Sequence, residues 1–98
     1  MTKQDNHDKM LEQIINQPSR FSILGVICAF KEPRLYEDGI KTIDVHFETG
    51  KGVVLVEYKN SFEHKDYATI QLNCCTDYMR LKPYRKVFIH GFGRVIDV

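Results

Sequence analysis

Residues 40–58 read IKTIDVHFETGKGVVLVEY. From Ile40 to Glu48 apolar and polar side chains alternate. Ile43, Val45 and Phe47 fall on one side, and Thr42, Asp44 and His46 on the other. That is the period-two pattern of a half-buried strand. Thr49-Gly50-Lys51-Gly52 is a turn, and Val53 to Tyr58 is a further strand, so the segment predicts a β-hairpin. An isolated hairpin is marginal in water, so the rest of this 98-residue chain must supply partners for it within one small domain.

Further strand patterns flank the hairpin. Phe21 to Lys31 is apolar and β-branched, with Gly25 marking a bend or bulge. Tyr67 to Cys74 alternates, with Ala68, Ile70 and Leu72 facing inward and Thr69, Gln71 and Asn73 outward. Val87 to Val98 is the last strand, interrupted by Gly91 and Gly93. Thr76 to Arg85 reads as a short basic helix or turn, capped by Thr76 and ended by Pro83. Residues 1–20 are polar apart from Met10, Leu11, Ile14 and Ile15, which mark one side of a short helix that Asp5 or Asn6 could cap and Pro18 ends. The expectation is an all-β domain over residues 21–98: a small five-stranded barrel of the oligonucleotide-binding type behind a short N-terminal helix, with glycines at its bends. An SH3-like or Sm-like barrel is the rival.

Composition narrows the function classes. Apolar residues at 43% suffice for one core, and a net charge of +1 excludes a polycation that binds nucleic acid through bulk charge. Any anionic partner needs a local basic patch. Three cysteines, two of them adjacent at Cys74 and Cys75, point to free thiols in a reducing compartment. Apolar runs are too short to span a membrane, and MTKQDNHDKM lacks the apolar core of a signal peptide.

Two stretches carry a resemblance. FSILGVICAFKEPRLYEDGIKTIDVHF and DYATIQLNCCTDYMRLKPYRKVFIHGFGRV together resemble the telomere-end-binding barrel of protection-of-telomeres proteins and of the ciliate telomere-binding alpha subunit. In that family an apolar strand containing Gly-Val-Val leads to a Lys/Pro turn and an alternating strand, and a later strand leads into a short helix with a Leu-Pro pair and then a further strand. The chain departs from it at Arg85-Lys86, where Gly-Asp is usual, and at Ala29 and Asn73, where aromatic residues are common. On this alignment the closing strand is missing and Val53 to Tyr58 is an excursion; read without it, Val53 to Tyr58 is a barrel strand. The resemblance implies a non-catalytic single-stranded DNA-binding module in the nucleus, on telomeric chromatin; without it the cytoplasm is expected. The alternative is a protein-interaction barrel that serves as an assembly subunit of a replication or telomere complex, docking a partner through Leu11, Ile14 and Ile15.

Such barrels grip single strands with aromatic platforms and cations. Lys31, Arg34, Tyr36 and Lys41 surround the turn after the first strand and form one candidate clamp. A second runs through Arg80, Lys82, Arg85 and Lys86 to the last strand, where alternation puts Phe88, His90, Phe92 and Arg94 on one face. Gln71 and Asn73 could read base edges, because amides both donate and accept. Against this, Lys31 and Arg34 could pair with Glu32, Glu37 or Asp38 on an ordinary solvated turn, and Phe88 and Phe92 could be core. Asp44 opposes phosphate, so Asp44 and His46 stand outside the expected site. Cys28, Cys74, Cys75 and the four histidines form no C-x-x-C or H-x-x-x-H pair, which argues against a metal. No phosphate-loop spacing, cofactor motif or Ser/His/Asp set is present, so an enzyme is the least favoured class.

Overall fold

The computed structural model describes residues 3–32, 43–79 and 82–98. Helix α1 covers Lys3–Asn16, and a 3-10 turn covers Pro18–Phe21. The strands are β1 (Val26–Lys31), β2 (Val45–Thr49), β3 (Gly52–Lys59), β4 (Arg85–His90) and β5 (Arg94–Asp97). A 3-10 turn at Phe62–His64 leads into helix α2 (Lys65–Met79), between β3 and β4.

The predicted hairpin is β2–β3, antiparallel, with Val45 opposite Val56 and Thr49 opposite Gly52. Its turn is fastened by Thr49, whose hydroxyl donates to the Gly52 carbonyl at 2.7 Å and accepts from the Lys51 amide at 3.2 Å. β1 pairs antiparallel with β2, and a register shift between Val26 and Cys28 supplies the bulge expected beside Gly25. β3 pairs parallel with β4, and β4 antiparallel with β5.

The sheet order is β1-β2-β3-β4-β5, so β1 and β5 are opposite open edges. The expected closed all-β barrel is therefore corrected to an open five-stranded mixed sheet with helices, an α/β arrangement. Packing explains why it stays open. The α1 side carries a core of Leu11, Ile14, Phe21 and Ile23 against Val45, Phe47, Val54, Val56, Val87 and Ile89. On the other side Leu72 and Cys75 of α2 pack on Ile43 and Leu55. A helix on each face buries the surface that barrel closure would otherwise bury. β3, flanked by β2 and β4 and covered on both faces, is buried continuously from Val54 to Tyr58.

Four other expectations change. Residues 67–74 are helical, because Ala68, Leu72 and Cys75 at i, i+4 and i+7 are the buried positions while Ile70 is 57% exposed. A parallel β3–β4 pair needs a crossover of a dozen or more residues, and α2 is that crossover. Thr76 is inside α2, donating to the Leu72 carbonyl at 2.9 Å, and is no cap. Asp5 and Asn6 lie within α1, whose start at Lys3 precedes them. The last strand is two, because Gly91 and Gly93 have positive φ and turn β4 back into β5. Gly93 sits so close to Phe21 that a Cβ there would lie 2.8 Å from the ring.

Candidate active site

Asp44 directly precedes β2 and continues its ladder, its amide donating to the Val56 carbonyl at 3.2 Å. Extending the β2–β3 register by one places it opposite Glu57. Where the ladder runs out, the Asp44 carboxylate takes over: Oδ2 accepts from the Tyr58 amide at 2.8 Å. Oδ1 lies 3.2 Å from Nε2 of His7, which reaches it from α1. Asp44 and Glu57 are each 1% exposed, and their carboxyl groups hydrogen-bond to one another.

Two adjoining buried carboxyl groups are costly unless they share a proton or hold a cation. Burial pushes the Asp44 carboxyl up, but hydrogen bonds from His7, Glu57 and the Tyr58 amide outweigh it and hold the group well below the ordinary carboxylate range. Two carboxyl groups this close and this buried make a place where a cation would be favoured.

Strand alternation puts Lys59 on the same face as Glu57, two residues on, at the end of β3. It pairs with His90 at the end of β4. The His90 ring stacks on Phe88 (centroids 5.4 Å, 23°) and meets the edge of Phe62 at 5.3 Å. Lys65, at the first position of α2, lies 6.0 Å over the Phe62 ring. Asp44, Glu57, Lys59 and His90 therefore gather where the parallel strands β3 and β4 end and the crossover begins. Ligands bind at the carboxyl ends of strands in open α/β sheets.

Two carboxyl groups could hold a hard divalent cation such as magnesium or manganese, which take oxygen ligands and keep coordination positions for water and phosphate. A second group lies beside it: His7, Asp8 and Glu32 offer ligand atoms within 4.8 Å of one another, and the Glu32 amide donates to the Asp44 carbonyl at 2.6 Å. A larger cavity of about 610 Å³ opens at the other end of the sheet beside Gly25, Gly50 and Tyr84. Its Arg85 and Asp97 already form a two-pronged ion pair, at 3.0 and 2.7 Å, so the carboxylate end holds the more reactive chemistry.

The expected nucleic-acid contacts are dispersed. Lys31 is on β1, and its Nζ is 2.9 Å from Glu12 of α1, a hydrogen bond that raises its pKa. Arg34, Tyr36, Lys41 and Arg80 lie outside the described residues. Gln71 and Asn73 are on α2 rather than on a strand; Asn73 accepts from Lys86 at 2.7 Å. His90 is at the carboxylate end, with Phe92 and Arg94 next to it on the β4–β5 hairpin. Lys31 and Arg94 stand on opposite edge strands, about 19 Å apart for four strand spacings, so they do not share one groove. Asp44 stands outside the expected site because it opposes phosphate, and Glu57 and Lys59 are not among its residues. The available signal was a carboxylate inside the apolar run VVLVEYK, where no alternation would carry it to solvent.

No family model, curated protein or solved structure matches the chain.

Proposed function

We propose that this protein is a divalent-cation-dependent phosphodiesterase acting on nucleic acid. The observation that carries the reading is the buried pair Asp44–Glu57 on neighbouring strands with Lys59 beside it, at the carboxyl end of a parallel strand pair. A magnesium or manganese ion bound there would neutralise the phosphate and lower the pKa of a water. Asp44 and Glu57 hold the cation. Without the cation the two carboxyl groups would oppose a phosphodiester, as the sequence expectation for Asp44 has it; with the cation bound the same place would attract one. Lys59 adds a fixed positive charge that stabilises the developing negative charge on the phosphoryl oxygens. His7 holds the Asp44 carboxylate in place through Nε2. Hydrolysis forms a bond from water oxygen to phosphorus and breaks one P–O ester bond, leaving a phosphate monoester and an alcohol.

The test is incubation with magnesium or manganese and labelled single-stranded, duplex and forked DNA and RNA. Cleavage is expected to stop with chelator and to fall at least 100-fold in Asp44→Asn, Glu57→Gln and Lys59→Ala. Absence of cleavage by the folded wild-type chain on every substrate refutes the reading.

A second reading is favoured by the exposed Phe62 ring beside His90: a non-catalytic single-strand binder, as the sequence suggests. It predicts salt-sensitive binding to short single strands that is unchanged by chelator, with no product formed. An assembly role through the N-terminal segment would have to use other side chains, because Leu11 and Ile14 are buried in the chain's own core.

A further inference from the structure

On the α1 side of the same sheet end lies a groove of about 410 Å³ between α1 and the β4–β5 turn. Asn6, Lys9 and Gln13 of α1 form one wall, Asn60 and Tyr58 another, and Phe92 the rim. Phe92 is 99% exposed, held out by the positive-φ glycines on either side of it. Tyr58 anchors the turn beneath, its hydroxyl donating to the Gly91 carbonyl at 2.5 Å.

An aromatic ring this exposed offers both faces for stacking. Around this one stand three side-chain amides and one lysine, with no carboxylate among the lining residues. Amides both donate and accept, as base edges require, and a lysine suits a phosphate. That is the chemistry of an unpaired nucleotide: a π-face to stack, an edge to hydrogen-bond, a charge to neutralise. A paired base could not enter, because its edge is occupied by its partner. The position matters as much as the chemistry. Tyr58 and Asn60 flank Lys59 in the chain, so the groove begins where the carboxylate site ends.

We propose that this groove holds an unpaired nucleotide next to the phosphate being cleaved, making the preferred substrate a single strand or the unpaired arm of a fork. The placement beside the cleaved bond rests on the phosphodiesterase reading; the nucleotide-holding groove does not.

The test is fluorescence anisotropy with the full chain in calcium, using a labelled single-stranded oligonucleotide and a fully paired duplex. Phe92→Ala is expected to weaken single-strand binding by about 5- to 100-fold and Phe92→Tyr to retain it, while duplex binding stays the same. Thermal melts confirm that both variants are folded. Equal single-strand affinity in Phe92→Ala and wild type, or an equal loss for duplex, overturns the proposal. In parallel the wild-type chain is assayed on bis(p-nitrophenyl) phosphate with manganese, a diester too small to need the groove. Hydrolysis there without a Phe92 effect leaves the enzyme and removes the groove. A Phe92 effect without hydrolysis leaves the nucleotide site and removes the enzyme.

Discussion

Replacing Glu57 by Gln separates the structural from the cation-binding role of the buried pair. Glutamine has the same shape, and its amide N–H can donate to the adjoining Asp44 carboxylate. The contact is kept, so metal-free stability should change by no more than about 1 kcal/mol. The neutral amide cannot supply the second negative oxygen that a hard cation needs. A cation at about 100 times its dissociation constant stabilises a folded chain by about 2.7 kcal/mol. For a domain of this size each kcal/mol moves Tm by about 4–8 °C, so wild type should gain roughly 10–20 °C at saturating manganese. Glu57→Gln should gain only a few degrees. The assay is a thermal melt followed by circular dichroism across a manganese titration, with chelator as the zero point. Two results refute the reasoning: a wild-type Tm indifferent to magnesium and manganese, or the same rise in both proteins. A Glu57→Gln chain far less stable than wild type in chelator would show instead that the Asp44–Glu57 contact is itself a structural support.

Three further perturbations test the frame. Gly93→Ala combines a φ of 121° that L-residues avoid with a Cβ 2.8 Å from Phe21, and should cost about 2–4 kcal/mol in a urea melt. Leu72→Ala empties the buried position that docks α2 on the sheet and should cost about 2–5 kcal/mol, whereas Ile70→Ala on the exposed side of the same helix should cost under about 1 kcal/mol; equal costs would mean α2 is not docked as described. Arg85 holds the Asp97 carboxyl below its ordinary range through a two-pronged hydrogen bond. Its stabilisation is complete above the unfolded pKa of about 3.9 and is lost as pH falls through the lower folded value. The Asp97 side chain is largely exposed, so Asp97→Asn should cost less than about 1 kcal/mol at pH 7, a gap that closes towards pH 2 in denaturant melts.

The β2–β3 hairpin and α1 are legible in the sequence for the same reason: each has one periodicity and an unambiguous stop. Val45 and Phe47 share one face of a strand, with Gly50 and Gly52 closing it, although Ile43, ahead of β2, packs on the α2 side instead of with them; Met10, Leu11, Ile14 and Ile15 mark a helix, with Pro18 ending it. Residues 65–79 carry two periodicities at once. Ala68, Ile70 and Leu72 alternate, and Ala68, Leu72 and Cys75 repeat helically, with β-branched Thr69 and Ile70 tilting local preference towards a strand. What decides between them is non-local: β4 runs parallel to β3, and only a crossover lets it. The barrel expectation fell with that segment, since five strands in a row imply closure whereas a helix between the third and fourth covers a face.

The site was hidden by an assumption about charge. Set against phosphate alone, Asp44 is a liability, and Glu57 is one misplaced polar residue in a core strand. Set against each other they have a common purpose. Burying a carboxylate costs several kcal/mol in the absence of a counter-charge. This chain buries two, side by side, in the most deeply covered strand and next to its neighbour, and then ends that strand in a lysine. Core economy would replace both with valine. A strand-end cap explains Asp44, which receives the Tyr58 amide, but does not by itself call for a second carboxyl group abreast of it. A divalent cation held between them, as proposed, would account for both positions. They also account for the register: the pairing of Val45 with Val56 brings these two side chains abreast, and slipping it by one residue would send Glu57 to the α1 core instead. The hairpin that fixes the fold is thus also the element that assembles the site.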